Sequence, residues 1–182
     1  MLKFQIQEPY RLGKKTVRGR FVIPSGIRCT HASTIAKCFR EVPSVGVVTT
    51  KSISAAPRAG NRELIYARYA PGCYINAVGL ANPGVDEEIA VLQETRRRLA
   101  QAGQGAKLVA SIFGTAVEDY AYLAERMNEA RPDFLEINIS CPNVKKEGLC
   151  PALSPEWTHS LVRRAKKASR RPVITKLSGT AR

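Results

Sequence analysis

The sequence predicts an α/β protein built from parallel β/α units. Two observations carry this. Short runs rich in Val and Ile, apolar on both faces, alternate with helix-like stretches along most of the chain. Each run also ends in polar or glycine residues. That places the chemistry-bearing positions at the carboxyl ends of the strands, the rim on which β/α barrels build their sites.

Taken in order, residues 1–20 read as a short polar hairpin or arm. The first strand, Phe21-Val22-Ile23, leads into Pro24-Ser25-Gly26, and a helix follows from about Ser33 to Glu41. Val45 to Val48 is the next strand, ending in Thr49-Thr50-Lys51-Ser52. Residues 52–84, rich in Gly, Pro and Arg, form a long loop, which in a compact domain is more often functional than idle. The helix Val85 to Ala100 opens on Asp86-Glu87-Glu88 and closes on Arg96-Arg97-Arg98, complementing the helix dipole at both ends. A strand from Leu108 to Phe113 ends in Gly114, and a third helix, Ala116 to Ala130, is stopped by Pro132. Phe134 to Ile139 runs into Ser140-Cys141-Pro142. Ser154-Pro155-Glu156 sets a capping serine before a first-turn proline, and Val173-Ile174 ends in Thr175-Lys176-Leu177-Ser178. Val45, Val47, Ile112 and Ile137, or their neighbours, are expected to fill the barrel interior.

At 182 residues the chain suits one well-cored domain, and 44% hydrophobic with 24% charged residues argues against disorder. No apolar run reaches membrane-helix length and no secretory signal is visible. Five cysteines without a C-x-x-C pair, and only His31 and His159, argue against a zinc site or a disulfide framework. A reduced, cytoplasmic protein without metal is expected. The formal charge of +14 raises nucleic-acid binding as a question. The densest cluster, Arg163 to Arg171, contains no aromatic residue, and Trp157, Leu161, Val162, Ala165 and Ala168 recur at helical spacing. The cluster therefore reads as a solvated helix face, and no specific nucleic-acid binding is expected.

Asn138 and Cys141 sit three apart, across the change from strand to loop. A cysteine there can serve as acid or base, its ordinary pKa of about 8.5 lying close to neutral pH, or it is a buried apolar residue; chemistry alone leaves both open. Lys51 and Lys176 follow apolar strands and could meet an anion on the rim, although such lysines are more often solvated strand ends. Tyr74 to Leu80, with Asn82-Pro83-Gly84, offers amides and close backbone approach to a polar ligand. Gly103-Gln104-Gly105-Ala106-Lys107 precedes a strand rather than following one and fails as a phosphate loop.

Pro24-Ser25-Gly26, Thr49-Thr50-Lys51-Ser52, Pro57-Arg58, Tyr74 to Leu80, Asn138-Ile139-Ser140-Cys141-Pro142-Asn143 and Lys176-Leu177-Ser178 together resemble the dihydroorotate dehydrogenase family, from about Ile23 to Ser178. The resemblance implies a TIM-type barrel that binds flavin mononucleotide (FMN) and oxidises dihydroorotate to orotate in pyrimidine synthesis. Carried over by position, Cys141 would be the catalytic base. Ser25, Gly26, Lys51, Ser52, Ser111, Asn138 and Lys176 would contact the flavin, with Lys176 stabilising the reduced ring. Lys51, Asn76, Ala77, Val78, Gly79, Leu80, Asn138 and Asn143 would hold the pyrimidine. Cysteine at position 141 resembles the soluble members, and Asn143 favours orotate chemistry over the related dihydropyrimidine dehydrogenases. The implied partners are a second copy of the chain or an iron–sulfur flavoprotein subunit, the latter if electrons pass to NAD rather than fumarate.

An eight-stranded barrel takes roughly 250 residues. The sequence supplies five strands, so a single domain truncated after about five of eight is expected, inactive by itself. Two other readings stand beside that one: a half-barrel completed by a partner chain, and a non-catalytic basic binding module.

Overall fold

The computed structural model describes residues 9–100, 105–140 and 154–179. A two-stranded hairpin, β1 (Tyr10–Leu12) with β2 (Lys15–Val17), precedes a five-stranded parallel sheet. The sheet contains β3 (Phe21–Ile23), β4 (Val45–Thr49), β7 (Lys107–Ile112), β8 (Phe134–Asn138) and β9 (Val173–Lys176). Their spatial order is their sequence order, and every neighbouring pair is parallel. Five successive strands of a β/α barrel are arranged in this way. Helices α1 (Ala32–Glu41), α2 (Val85–Ala100), α3 (Val117–Ala130) and α4 (Pro155–Ala168) fall between them.

Local chemistry sets the helix ends. Asp119 Oδ2 accepts from the Thr115 and Ala116 amides at 2.7 and 3.0 Å, satisfying donors at the start of α3. The Ser154 hydroxyl accepts from Trp157 N at 3.2 Å, and Pro155 opens α4 without losing a helical hydrogen bond. On α4, Leu161 and Ala165 are buried while Arg163, Arg164, Lys166 and Lys167 are exposed, so most of the basic run lies on the solvated face.

Two apolar layers flank the sheet. The outer one packs Ile35 and Phe39 of α1, Leu92 of α2, Leu123 and Met127 of α3 and Leu161 of α4 against Val48, Leu108, Ala110, Ile112, Leu135 and Ile137. The inner one gathers Val17, Val47, Val109 and Phe134, with Tyr10, Leu12 and Ile174 packed on it. The β1–β2 hairpin thus closes the amino-terminal end of the sheet. Lys15 fastens it there through Asp133 at 3.2 Å, and Asp133 also accepts from Leu108 N at 3.1 Å. Of the four residues expected in the barrel interior, only Val47 lies there. Val45, Ile112 and Ile137 pack under the helices instead. On strands apolar on both faces, the pattern does not say which face is inward.

The segment 52–84 is more ordered than a loop. It contains a second hairpin, β5 (Tyr66–Ala70) paired antiparallel with β6 (Cys73–Asn76) around Gly72. Tyr66 and Tyr74 stack with ring centroids 5.4 Å apart. Further along, Asn82 is buried and its amide is spent within the segment. Its Oδ1 accepts from Ser54 N and Gly84 N at 3.1 and 3.0 Å, and its Nδ2 donates to Leu80 O at 2.8 Å. The expectation that Asn82 offers an amide to a ligand is therefore corrected: its side chain pins the segment to itself. Gly79 has φ +72°, and a Cβ there would lie 2.5 Å from the Asn61 side chain, so the turn requires glycine.

Candidate functional site

The inward face of the sheet changes character along its length. Val109 and Phe134 belong to the inner apolar layer, and the next residues on the same faces are Ser111 and Glu136. Beyond them come Asn138 and Lys176, which are register partners at the ends of β8 and β9.

These side chains form one hydrogen-bonded chain across all five strands. Lys176 Nζ lies 3.3 Å from Glu136 Oε1, and the Ser111 hydroxyl donates to the same oxygen at 2.8 Å. Ser111 Oγ is 2.8 Å from Ser52 Oγ, which accepts from Asn138 Nδ2 at 3.0 Å. Ser52 Oγ is also 3.2 Å from Ser25 Oγ, and the Ser52 amide donates to Ser25 at 2.9 Å. Ser25 follows β3, Ser52 follows β4, Ser111 is on β7, Glu136 and Asn138 are on β8, and Lys176 closes β9.

The network has a direction. An ionised carboxylate only accepts, so Ser111 gives its proton to Glu136, and Ser52 must give its own to Ser111. Ser52 then has lone pairs left for Asn138 Nδ2 and the Ser25 hydroxyl. Asn138 Oδ1 accepts from the Ser140 amide and hydroxyl at 3.2 and 2.8 Å, which fixes the orientation of its amide. What remains for a ligand is the second Asn138 N–H and the spare N–H groups of Lys176. The rim is a donor surface, suited to an electron-rich planar ring or an anion.

Beside this rim lies a cavity of about 620 Å³. It brings together Ser25, Gly26, Lys51, Asn76, Ala77, Val78, Gly79 and Leu80, all anticipated from sequence, and adds Arg28, Ile65 and Tyr66. Lys51 is half-buried, and loss of hydration holds its ammonium below the usual lysine pKa. No acidic residue lines the cavity among the described residues, so Lys51 and Arg28 both favour an anionic guest. Cys141 and Asn143 lie outside the described residues.

Sequence reasoning missed Glu136, Arg28 and Tyr66. Glu136 had a legible signal: it is the one charged residue within Phe134-Leu135-Glu136-Ile137-Asn138, on the same face as Asn138. A second buried carboxyl, Glu88 on α2, lies on the opposite side of the sheet, beside Thr50 in the outer layer.

The family model described as dihydroorotate dehydrogenase matches residues 11–181. Among curated proteins, dihydroorotate dehydrogenase A (fumarate) of Lacticaseibacillus paracasei is 41% identical over 135 residues, 74% of this chain and 45% of that protein. The catalytic subunit of dihydroorotate dehydrogenase B (NAD(+)) of Methanocaldococcus jannaschii is 35% identical over 133 residues, 73% of this chain and 42% of its own length. Its counterpart in Desulforudis audaxviator is 38% identical over 142 residues, 77% of this chain and 44% of its own. The chain spans about half the length of the curated relatives it matches.

Proposed function

The chain belongs to the dihydroorotate dehydrogenase family, and on that premise we propose that it supplies the flavin- and pyrimidine-facing part of a barrel that oxidises dihydroorotate to orotate in pyrimidine synthesis. The observation that carries this reading is the hydrogen-bonded rim. Five strands each contribute a side chain to one connected surface, and its free groups are donors beside a cavity with two cations.

The donor set fits the ring system of FMN. Lys176 and Asn138 would hold an isoalloxazine through their spare N–H groups, and Ser25, Gly26, Lys51, Ser52 and Ser111 would complete the seat. FMN, when bound, supplies the hydride acceptor. The chain's own residues bind and orient. Asn76, the Ala77–Leu80 turn, Asn138 and Asn143 hold the pyrimidine, with Lys51 at its carboxylate. Cys141 removes the C5 proton of dihydroorotate as the hydride leaves C6. Lys176 would hold an ammonium beside the ring and so would favour negative charge developing there, a preorganised electrostatic role.

In barrels of this kind phosphate is commonly gripped by the loops after strands seven and eight. The activity proposed is therefore that of the eight-unit barrel, not of five units by themselves. Two partners are proposed for it: a second copy of the chain and, for electron transfer to NAD, an iron–sulfur flavoprotein subunit. A cytoplasmic setting suits the free thiols of Cys29, Cys38 and Cys73.

The test compares this chain alone with the chain continued by the last three β/α units of the Lacticaseibacillus paracasei relative. The completed barrel is expected to carry flavin and form orotate, and the chain alone to do neither. A folded, completed barrel that takes up no flavin would overturn the reading. Tight binding of single-stranded nucleic acid at physiological salt would favour a basic binding module instead.

A further inference from the structure

We propose that Glu136 is a positioning residue for Lys176 that sets the reduction potential of the bound flavin, an inference that rests on the flavin reading above. The juxtaposition is direct: Glu136 Oε1 stands 3.3 Å from Lys176 Nζ and 2.8 Å from the Ser111 hydroxyl. Glu136 is nearly buried, with 11% of its side chain exposed against 37% for Lys176. A carboxylate so placed needs its cation, because removing one partner leaves the other charge uncompensated in a medium that solvates it poorly. Lys176 is thereby held at the end of β9, beside the Asn138 amide, rather than free to extend into solvent.

The pair also divides its charge. An unaccompanied lysine would present a full positive charge to the ring and favour its reduced, anionic form strongly. With a carboxylate on its inner side, part of that field is cancelled, and the reduced ring is stabilised less. A flavin that must accept a hydride from one substrate and then yield electrons to another needs such a compromise. Glu136 touches neither substrate nor ring in this role. It acts through Lys176, and through Ser111 it also fixes the proton direction of the serine chain that orients Asn138.

The test is the midpoint potential of the bound flavin in the flavin-loaded completed barrel, compared with Glu136→Gln, Lys176→Met, the double variant and Glu136→Asp in the same barrel. Glu136→Gln keeps the shape and removes the negative charge, so the potential is expected to move positive. Lys176→Met is expected to move it negative. In the Lys176→Met background Glu136→Gln is expected to shift the potential less than it does in the wild type, because only the carboxylate's direct field, and not its hold on the cation, is left to remove. Glu136→Asp keeps the charge and is expected to stay closer to the wild-type potential than Glu136→Gln; should the Gln variant fail to fold, Glu136→Ala takes its place, and a wild-type potential in Glu136→Ala with Lys176→Met shifted overturns the inference. A wild-type potential in Glu136→Gln, with Lys176→Met shifted, overturns it while leaving the flavin reading intact. Unchanged potentials in both single variants remove Lys176 from the ring and overturn the inference, whereas a folded, completed barrel that takes up no flavin overturns the flavin reading instead.

Discussion

Asn138 Nδ2 donates to the Ser52 hydroxyl at 3.0 Å, joining the ends of β8 and β4 across 86 positions of sequence. The bond is buried, and Ser52 is the branch point at which the contributions of β3, β7 and β8 meet.

Ser52→Ala removes that branch point and leaves the buried Asn138 amide and the Ser111 hydroxyl each short of a partner. A loss of about 1–3 kcal/mol in unfolding free energy is expected by denaturant titration. A Ser160→Ala control, at an exposed position of α4, should cost less. Equal losses would show that the Ser52 network does not hold the rim together.

In the completed barrel, Lys176→Ala is expected to weaken flavin binding more than Lys166→Ala or Lys167→Ala. Lys176 ends a strand on the rim, whereas the other two lie on the exposed face of α4. Flavin titrations that fail to separate them would count against the rim assignment.

Glu88 gives the fold a pH dependence. Burial pushes its carboxyl up to about 8; the Thr50 hydroxyl beside it offsets part of that, and the Glu87 carboxylate adds to it. Neither carboxyl oxygen reaches hydrogen-bond geometry with a protein partner. An unfolded glutamate ionises at about pH 4.3. Between that point and about pH 8 the folded state keeps a proton that the unfolded state has lost, so stability falls as pH rises through the window. Above it the full cost is present, on the order of a few kcal/mol. Glu88→Gln should flatten this part of the profile and be the more stable protein at pH 9. A wild-type slope in Glu88→Gln would show that another group is responsible.

The described cysteines should react with iodoacetamide in order of exposure. Cys29 is fully buried, and its thiol is pushed up to about 11 by burial, with Cys38 and Glu88 adding to the rise and the Gly26 backbone opposing it. Cys73 is exposed on β6. Peptide mapping of the native protein should find Cys73 modified first and Cys29 protected. Rapid modification of Cys29 would mean that the outer layer opens readily.

Much of the site was legible because its residues close apolar strands. Ser25, Ser52, Asn138 and Lys176 lie in the quoted motifs and Ser111 was named only through the family resemblance, and the parallel register brings them into one network. Glu136 was not, since a single charge within an apolar run draws less notice than a motif, although it sits two residues before Asn138 on the same face. The β5–β6 hairpin was hidden for a different reason. Both strands are largely exposed, so no burial forces an apolar alternation on Tyr66–Ala70 or Cys73–Asn76, and only Pro71-Gly72 marks the turn. Asn82 shows the reverse error, a polar residue beside a glycine turn that serves the loop's own backbone.

The most direct test of the central claim is flavin absorbance near about 450 nm, where oxidised flavins absorb, followed on anaerobic mixing of the completed barrel with dihydroorotate. Wild-type protein and Cys141→Ser would be compared at neutral pH and equal flavin content. Serine is a far weaker acid than cysteine, so it removes a usable base without emptying the flavin seat. The account predicts rapid bleaching in the wild type and bleaching slowed by orders of magnitude in Cys141→Ser, with flavin retained in both. Bleaching at the wild-type rate in Cys141→Ser, or none in the flavin-loaded wild type, would contradict it.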